Sequence, residues 1–242
     1  MRIVDMSTTE FAAAAKKDPV VIIPVGAVEE HGPHLPLGAD IFQPEAVIGE
    51  VAKRTGAMIA PTLPYGNCIS TDGFPGTISV SFDAIRLMMR DILDSFVADG
   101  LRRFVVVSGH AGSLHMEALR AAAREVASKE KVRIAVLSDY DFAYELLDDP
   151  TQPFLKGDGH GGALETSRVM AIKPKLVKGR TKVKGADYPN RFLISRSPEK
   201  LWPGIRGDPS KASAALGRKA NRHVVEKLVE LVNDVKKGPL GI

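Results

Sequence analysis

The chain has one cysteine in 242 residues, Cys68, so no disulfide can form within it and stability has to come from packing. A single cysteine also suits a reducing compartment, and a cytoplasmic location is expected. No apolar stretch approaches the roughly 18–20 residues that cross a bilayer, so no membrane partner is expected. The opening residues Met1-Arg2-Ile3-Val4-Asp5 lack an apolar leader, and no secretory signal is expected. Aromatic residues are scarce, at 6%. None falls in the densest basic stretch, which carries Lys173, Lys175, Lys178, Arg180, Lys182 and Lys184. A nucleic-acid surface needs basic residues interleaved with stacking partners, so this stretch reads as a solvated loop or edge despite the net charge of +4. Three catalytic signatures are missing as well: G-x-S-x-G, H-E-x-x-H and the Walker A loop.

What is present is enough for one core. Hydrophobic residues make up 44% and charged residues 26%, and residues 1–242 read as a single domain. Four short runs rich in Val and Ile, Val20–Val25, Ala57–Ala60, Arg103–Val107 and Val132–Leu137, mostly lack polar alternation, as strands covered on both faces do. Helical patterns lie between and after them, at Phe42–Arg54, Phe82–Ala98, Ser113–Ser128 and Gly161–Ile172. A last helix is predicted over Pro209–Val235, with Asp208 as its N-cap. Strands alternating with helices predict an α/β fold, a three-layer α/β/α arrangement around a mostly parallel sheet.

The chemistry sits in three segments. The first, Glu29-Glu30-His31-Gly32-Pro33-His34-Leu35-Pro36-Leu37-Gly38-Ala39-Asp40, follows a predicted strand, where ligands of open α/β sheets bind. Glu29 and His31 are two apart and point the same way in extended chain. Gly32 and Pro33 then turn the backbone so that Asp40 can come back. Carboxylate, imidazole and carboxylate suit Zn²⁺, Mn²⁺ or Fe²⁺, and a carboxylate such as Asp40 can bridge two ions. The second segment, Ser108-Gly109-His110-Ala111-Gly112, is a strand running into a turn of small residues around a histidine. The third, Asp158-Gly159-His160-Gly161-Gly162, holds a histidine in a glycine-rich loop, with Glu165 about one helical turn later. His115 and His223 lie on helices among charged residues and read as structural; His34 is open between ligand and supporting hydrogen bond. Cys68 shows no base near it in sequence and reads as a buried, incidental thiol.

These segments, in this order, resemble the creatininase (creatinine amidohydrolase) family. The resemblance is carried by Val25 to Asp40, Phe74-Pro75-Gly76-Thr77-Ile78-Ser79, Ser108 to Gly112, His160-Gly161-Gly162 with Glu165-Thr166-Ser167, and Gly207-Asp208-Pro209, and it covers about residues 20 to 215. It implies two divalent metal ions, zinc, manganese or iron. Glu29, Asp40 and His110 would hold one, and His31 and Asp40 the other, with Asp40 bridging. Creatininase completes the second site with a glutamate where this chain has Gly112, and Glu165 is the candidate replacement. It also has a glutamate of its proton relay where this chain has Gly159. Ser70-Thr71-Asp72 occupies a stretch that often carries a histidine in the family, so the pocket is expected to differ. The implied chemistry is metal-assisted hydrolysis, with His160 as proton donor, backbone N–H groups in 159–162 holding the oxyanion, and Ser70, Ala111, Gly159 and Gly161 at the substrate.

The expected function is cleavage of a non-peptide C–N amide bond in a small nitrogen-rich metabolite. The alternatives are a formylaminopyrimidine nucleotide deformylase of flavin or deazaflavin synthesis and a cofactor-maturation peptidase, both favoured over creatinine opening by Gly112. A non-catalytic metal-binding scaffold is the reading from another class, and a bridging carboxylate speaks against it. The family resemblance implies a homo-oligomer, a hexamer. The loop at 185–206, with Tyr188, Phe192 and Trp202, reads equally as a pocket cover or as core packing.

Overall fold

The computed structural model describes residues 1–179, 181, 183–188, 195 and 197–241. Arg180 and Lys182 of the basic stretch and Phe192 of the 185–206 loop lie outside the described residues. Among the described residues four strands form one fully parallel sheet: β1 (Val21–Val25), β2 (Met58–Ile59), β3 (Arg103–Ser108) and β4 (Arg133–Ser138), in the order β2-β1-β3-β4. The runs lack polar alternation because both faces are covered. Val21, Ile23 and Val25 of β1, with Phe104 and Val106 of β3, point into one core under α3 (Phe82–Ala98) and α4 (Ser113–Ala127). Val20 and Ile22, with Val105 and Val107, point into the other, under α2 (Ala39–Thr55) and α7 (Ala214–Lys237). The remaining helices are α1 (Thr8–Ala15), the short α5 (Tyr140–Ala143) and α6 (Ala163–Ile172). The expected three-layer α/β/α class is what the chain adopts.

Two helix starts lie three or more residues from where the sequence puts them, and both differences bear on the site. Helix α2 begins at Ala39 rather than Phe42, which puts Asp40 in its first turn, where the helix dipole favours a carboxylate. Pro44 lies inside the helix and cannot donate to the carbonyl of Asp40 four residues back. That carbonyl packs instead against the strand ends: a Cβ on Gly109 would stand 2.0 Å from it, and one on Gly26 2.8 Å. Only glycines at those points let the helix start seat between β1 and β3. The last helix is also not continuous from Pro209. Asp208 caps a single 3₁₀ turn, Pro209–Lys211, and Ala212 and Ser213 are extended. Ser213 then caps α7 by accepting from Leu216 N–H. The break lets Gly217 press on the carbonyl of Ser167 in α6, where a Cβ would stand at 1.8 Å.

Because β2 pairs on one side of β1 and β3 on the other, the order in which strands are added to the sheet reverses at the β1–β3 boundary. Clefts in open parallel sheets form at the carboxyl ends of the strands at such a point. Glu29 follows β1 and His110 follows β3.

Candidate metal centre

The first segment folds so that its carboxylates and imidazole converge. His31 Nδ1 is 3.0 Å from the carbonyl of Glu29. A carbonyl only accepts, so Nδ1 carries the proton and Nε2 presents a lone pair. That lone pair faces Asp40 Oδ1 at 3.2 Å and Glu165 Oε1 at 3.4 Å. His110 is arranged in mirror fashion. Its Nε2 donates to the carbonyl of Asn67 at 2.9 Å, and Nδ1 faces Glu29 Oε2 at 2.8 Å and Asp40 Oδ2 at 3.3 Å. Each histidine is thus fixed by a backbone acceptor in the tautomer that leaves its other nitrogen free for a cation. Asp40 stands between the two rings, with one oxygen toward each.

Glu29, Asp40 and Glu165 are 1%, 2% and 3% exposed. Three carboxylates removed from water need compensating positive charge. The ion pairs they make among the described residues are with histidines alone. Glu29 Oε2 and Asp40 Oδ2 are buried without a hydrogen-bond partner. Charge surplus, free imidazole lone pairs and orphaned carboxylate oxygens are what a metal-ligand set looks like before the cation is counted. Glu29, His31 and His160 form one group whose candidate ligand atoms lie within 4.8 Å, and His31, Asp40 and Glu165 form another.

The acid–base character follows from the same crowding. Burial opposes a charge on His31, but Glu165 and Asp40 outweigh it and hold its pKa well above the usual value. Burial likewise opposes His110, and Glu29 and Asp40 raise it well above the ordinary range. Burial pushes Glu29 up, yet His110, His160 and His31 hold its carboxyl well below the usual value. Protons and metal ions therefore compete for the same two nitrogens. As pH falls, His31 and His110 gain protons, lose their lone pairs and release metal. Apparent metal affinity is expected to fall by about tenfold per pH unit for each proton displaced. Metal retention by the purified protein at pH 8 and pH 6, read by mass spectrometry, checks this; equal retention would contradict it.

A cleft of about 250 Å³ opens beside these groups, lined among others by Ser70, His110, Ala111, Gly112, Tyr140, Tyr144, His160 and Trp202. A larger depression of about 850 Å³ lies at the amino-terminal edge of the sheet, along Pro19, Thr55 and Lys236, and has no histidine in its lining. Trp202 Nε1 donates to the carbonyl of Ser70 at 3.1 Å and its ring stands 6.0 Å from that of His160. Of the two readings of the 185–206 loop, Trp202 therefore follows the pocket cover. The His160 ring stacks on His31 at 4.3 Å, and its Nε2 donates to the carbonyl of Glu30 at 2.7 Å. Burial and His31 oppose its charge, but Glu29, Glu30 and Glu165 raise its pKa above the ordinary value.

Several expectations meet corrections here. Gly159 and Gly161 do not line the cleft. Their N–H groups are already engaged, Gly159 with the carbonyl of Arg206 at 3.2 Å and Gly161 with Glu165 Oε2 at 2.7 Å. Gly162 N–H is engaged with the carbonyl of Gly159 at 2.9 Å. An oxyanion hole at 159–162 thus lacks these three donors. Cys68 does have a base beside it, because the fold brings His110 to it. His34 belongs to none of these ligand groups and bonds Thr166 Oγ1 at 2.8 Å. His115 is structural, as expected. It accepts from Asn67 N–H at 3.3 Å and donates to Ser108 Oγ at 3.1 Å. Burial and His110 bring its pKa down to about 3, so it stays neutral.

Some supporting residues escaped the sequence reading. Glu165 Oε1 accepts from the Tyr140 hydroxyl and from Gln43 Nε2 at 3.1 Å. Thr71 donates to Glu29 Oε1. Asp139, just beyond β4, pairs with a fully buried Arg168, whose guanidinium lies 5.0 Å from the Tyr140 ring. A strand-end signal was available for Asp139 and Tyr140, since the run that becomes β4 ends immediately before them. Gln43 and Arg168 offer no signal, because helical residues of those types are ordinarily exposed.

A parallel α/β sheet carrying a carboxylate shared between two imidazoles beside a small cleft has the build of a metal-dependent hydrolase. A family model described as creatinine amidohydrolase matches residues 4–232. The chain belongs to that family, the creatininases, and is an enzyme of the hydrolase class acting on C–N bonds, as expected. A creatinine amidohydrolase of Pseudomonas putida is 34% identical over 69% of this chain and 69% of its own length. A mycofactocin precursor peptide peptidase of Mycolicibacterium smegmatis is 34% identical over 83% of this chain and 79% of its own. The crystal structure of a creatinine amidohydrolase has a TM-score of 0.85 at 28% identity, covering 98% of both chains. A Zn–Zn form of a creatininase variant gives 0.84 at 28% identity over 98% of both chains. A manganese form gives 0.82 at 27% identity over 98% of this chain and 99% of that one.

Proposed function

We propose that residues 1–242 form one domain that holds two divalent metal ions, zinc, manganese or iron, and hydrolyses a C–N amide bond of a small molecule. The single observation that supports it most is Asp40, buried between His31 and His110 with an oxygen toward each and Oδ2 unpartnered. Glu29, Asp40 and His110 would hold one ion, and His31, Asp40 and Glu165 the other. A side chain at Gly112 does not fit, since its Cβ would stand 2.4 Å from His110 Nε2, whereas Glu165 already reaches within 3.4 Å of His31. Bound there, the ions supply an activated water and a Lewis acid for the substrate carbonyl. His160, its charge favoured by three glutamates, is placed to hand a proton to the leaving nitrogen from Nδ1 while Nε2 stays on Glu30. Ser70 and Ala111 border the substrate, and Trp202 and Tyr144 narrow the way in.

The cleft's modest volume favours a small metabolite over a folded or extended partner. The peptidase is kept as a second reading because of the relative that is 34% identical over 83% of the chain; a peptide would enter by its terminal residue. A cytoplasmic location and a homo-oligomer, hexameric by family resemblance, belong to this proposal. Protein expressed with supplemented metal should carry about two ions per chain and, with them, release amine from small amides faster than from short peptides. The peptide reading takes over if peptides are the better substrates, and one ion or none per chain removes the two-metal site.

A further inference from the structure

Cys68 has no part in the site so far. Its thiol is fully buried, yet it does not sit among apolar side chains alone. Its Sγ, a carboxylate oxygen of Glu29 and a ring nitrogen of His110 all lie within 4.8 Å of one another. The backbone sets this placement. Cys68 N–H donates to Ser79 Oγ at 2.9 Å, and the Cys68 carbonyl accepts from Thr71 N–H at 3.1 Å. The same turn supplies the Asn67 carbonyl that fixes the tautomer of His110 and the Thr71 hydroxyl that bonds Glu29. One short turn therefore aims a thiol, an imidazole and a carboxylate at a common point. A second observation marks that point as a ligand position: Glu29 Oε2 is buried there without a hydrogen-bond partner, and so is Asp40 Oδ2, 3.3 Å from His110 Nδ1.

We propose that Cys68 is a fourth protein ligand of the ion held by Glu29, Asp40 and His110, and that its sulfur biases this position toward zinc over manganese. The inference rests on the two-metal reading above. Thiolate is a soft donor that suits zinc and cobalt, whereas manganese prefers oxygen. Two carboxylate oxygens, one imidazole nitrogen and one sulfur make a four-donor set of the kind zinc takes tetrahedrally. Coordination needs the thiolate, so the thiol proton leaves to solvent as the ion binds. Four protein ligands close this half of the centre. The open coordination position then falls to the His31–Glu165 half, against which His160 is stacked.

Cobalt-loaded full-length protein tests this. The native chain should show a thiolate-to-cobalt charge-transfer band in the near ultraviolet. The band should be absent from Cys68→Ser and Cys68→Ala, while the weaker visible cobalt bands persist in both. From an equimolar mixture of zinc and manganese, the bound zinc-to-manganese ratio should fall by about tenfold or more in Cys68→Ser. Native protein that binds cobalt without the near-ultraviolet band overturns the ligand assignment and leaves the two-metal centre standing. Native protein that binds no cobalt overturns both.

Discussion

Asp40→Asn should remove both metal ions together and most of the activity with them. The amide is nearly isosteric with the carboxylate, so the start of α2 keeps its seat against Gly26 and Gly109. What changes is charge and donor character. An amide has one oxygen to offer, and its NH₂ would face a histidine nitrogen from which a cation should be accepting electrons. The bridge that Asp40 would form between the His31 and His110 halves is lost, and each half gives up an anionic ligand. Losing metal assistance corresponds to about 3–5 kcal/mol of transition-state stabilisation, or roughly 10²–10⁴ in kcat/KM. Metal analysis and kinetics on the same preparation, with folding checked by circular dichroism, read the two losses side by side. A variant that keeps two ions and native turnover would mean that Asp40 is not the bridge.

The largest effect on stability is expected at Arg168, far from the surface where arginines usually lie. Its two Nη atoms pair with both oxygens of Asp139, and Nε donates to Asn221 Oδ1 at 2.9 Å. Both members of the pair are fully buried. Arg168→Met would leave the Asp139 carboxylate without its cation in a dry interior, at a cost of about 3–5 kcal/mol. For a chain of this size that lowers Tm by about 10 °C. Thermal unfolding by calorimetry measures it. Arg168→Met combined with Asp139→Leu should recover a large part of the loss, because the stranded charge goes too. A loss below about 1 kcal/mol in the single variant would show that the pair matters little. The guanidinium also backs the Tyr140 ring, and the Tyr140 hydroxyl donates to Glu165. The single variant should therefore loosen Glu165 as well, a link that connects stability to the metal centre.

The strand–helix alternation was legible because a sheet buried on both faces leaves an unmistakable run of Val and Ile, and all four strands are found within one residue of their expected bounds at each end. The shortest is β2, whose apolar run of four pairs over only two residues, at the edge of the sheet. The two helix starts were misplaced for a shared reason: local capping rules do not know about tertiary seats. Pro44 suits a first turn, but the packing of the Asp40 carbonyl on Gly109 pulls the start of α2 back to Ala39. Asp208 is a good cap, but the approach of Gly217 to Ser167 breaks the chain after one turn.

In the site, the convergence of Glu29, His31, Asp40 and His110 was readable because residues of these types cluster within short segments next to strand ends. Glu165 was reachable only as a carboxylate one turn past a glycine loop, and the structure brings it to 3.4 Å from His31. Cys68 is buried as expected, but its neighbours Glu29 and His110 lie far along the chain and nothing in Gly66-Asn67-Cys68-Ile69-Ser70 announces them. The glycine loop was misread. Free N–H groups were expected there with the chemistry the resemblance implied, whereas Glu165 and Arg206 had already taken two of them.

Three enclosed carboxylates whose ion-pair partners among the described residues are all imidazoles also set how such a chain would fare in a cell. Without cations the folded form carries mutual repulsion that the open form relieves in water, so the balance between them tilts with metal supply. Chaperones and proteases act on whatever fraction is open. The steady-state amount of this protein would then track the available pool of divalent metal. Scarcity would thin the population of chains as well as leave survivors idle, so one cluster of side chains would govern both turnover and abundance.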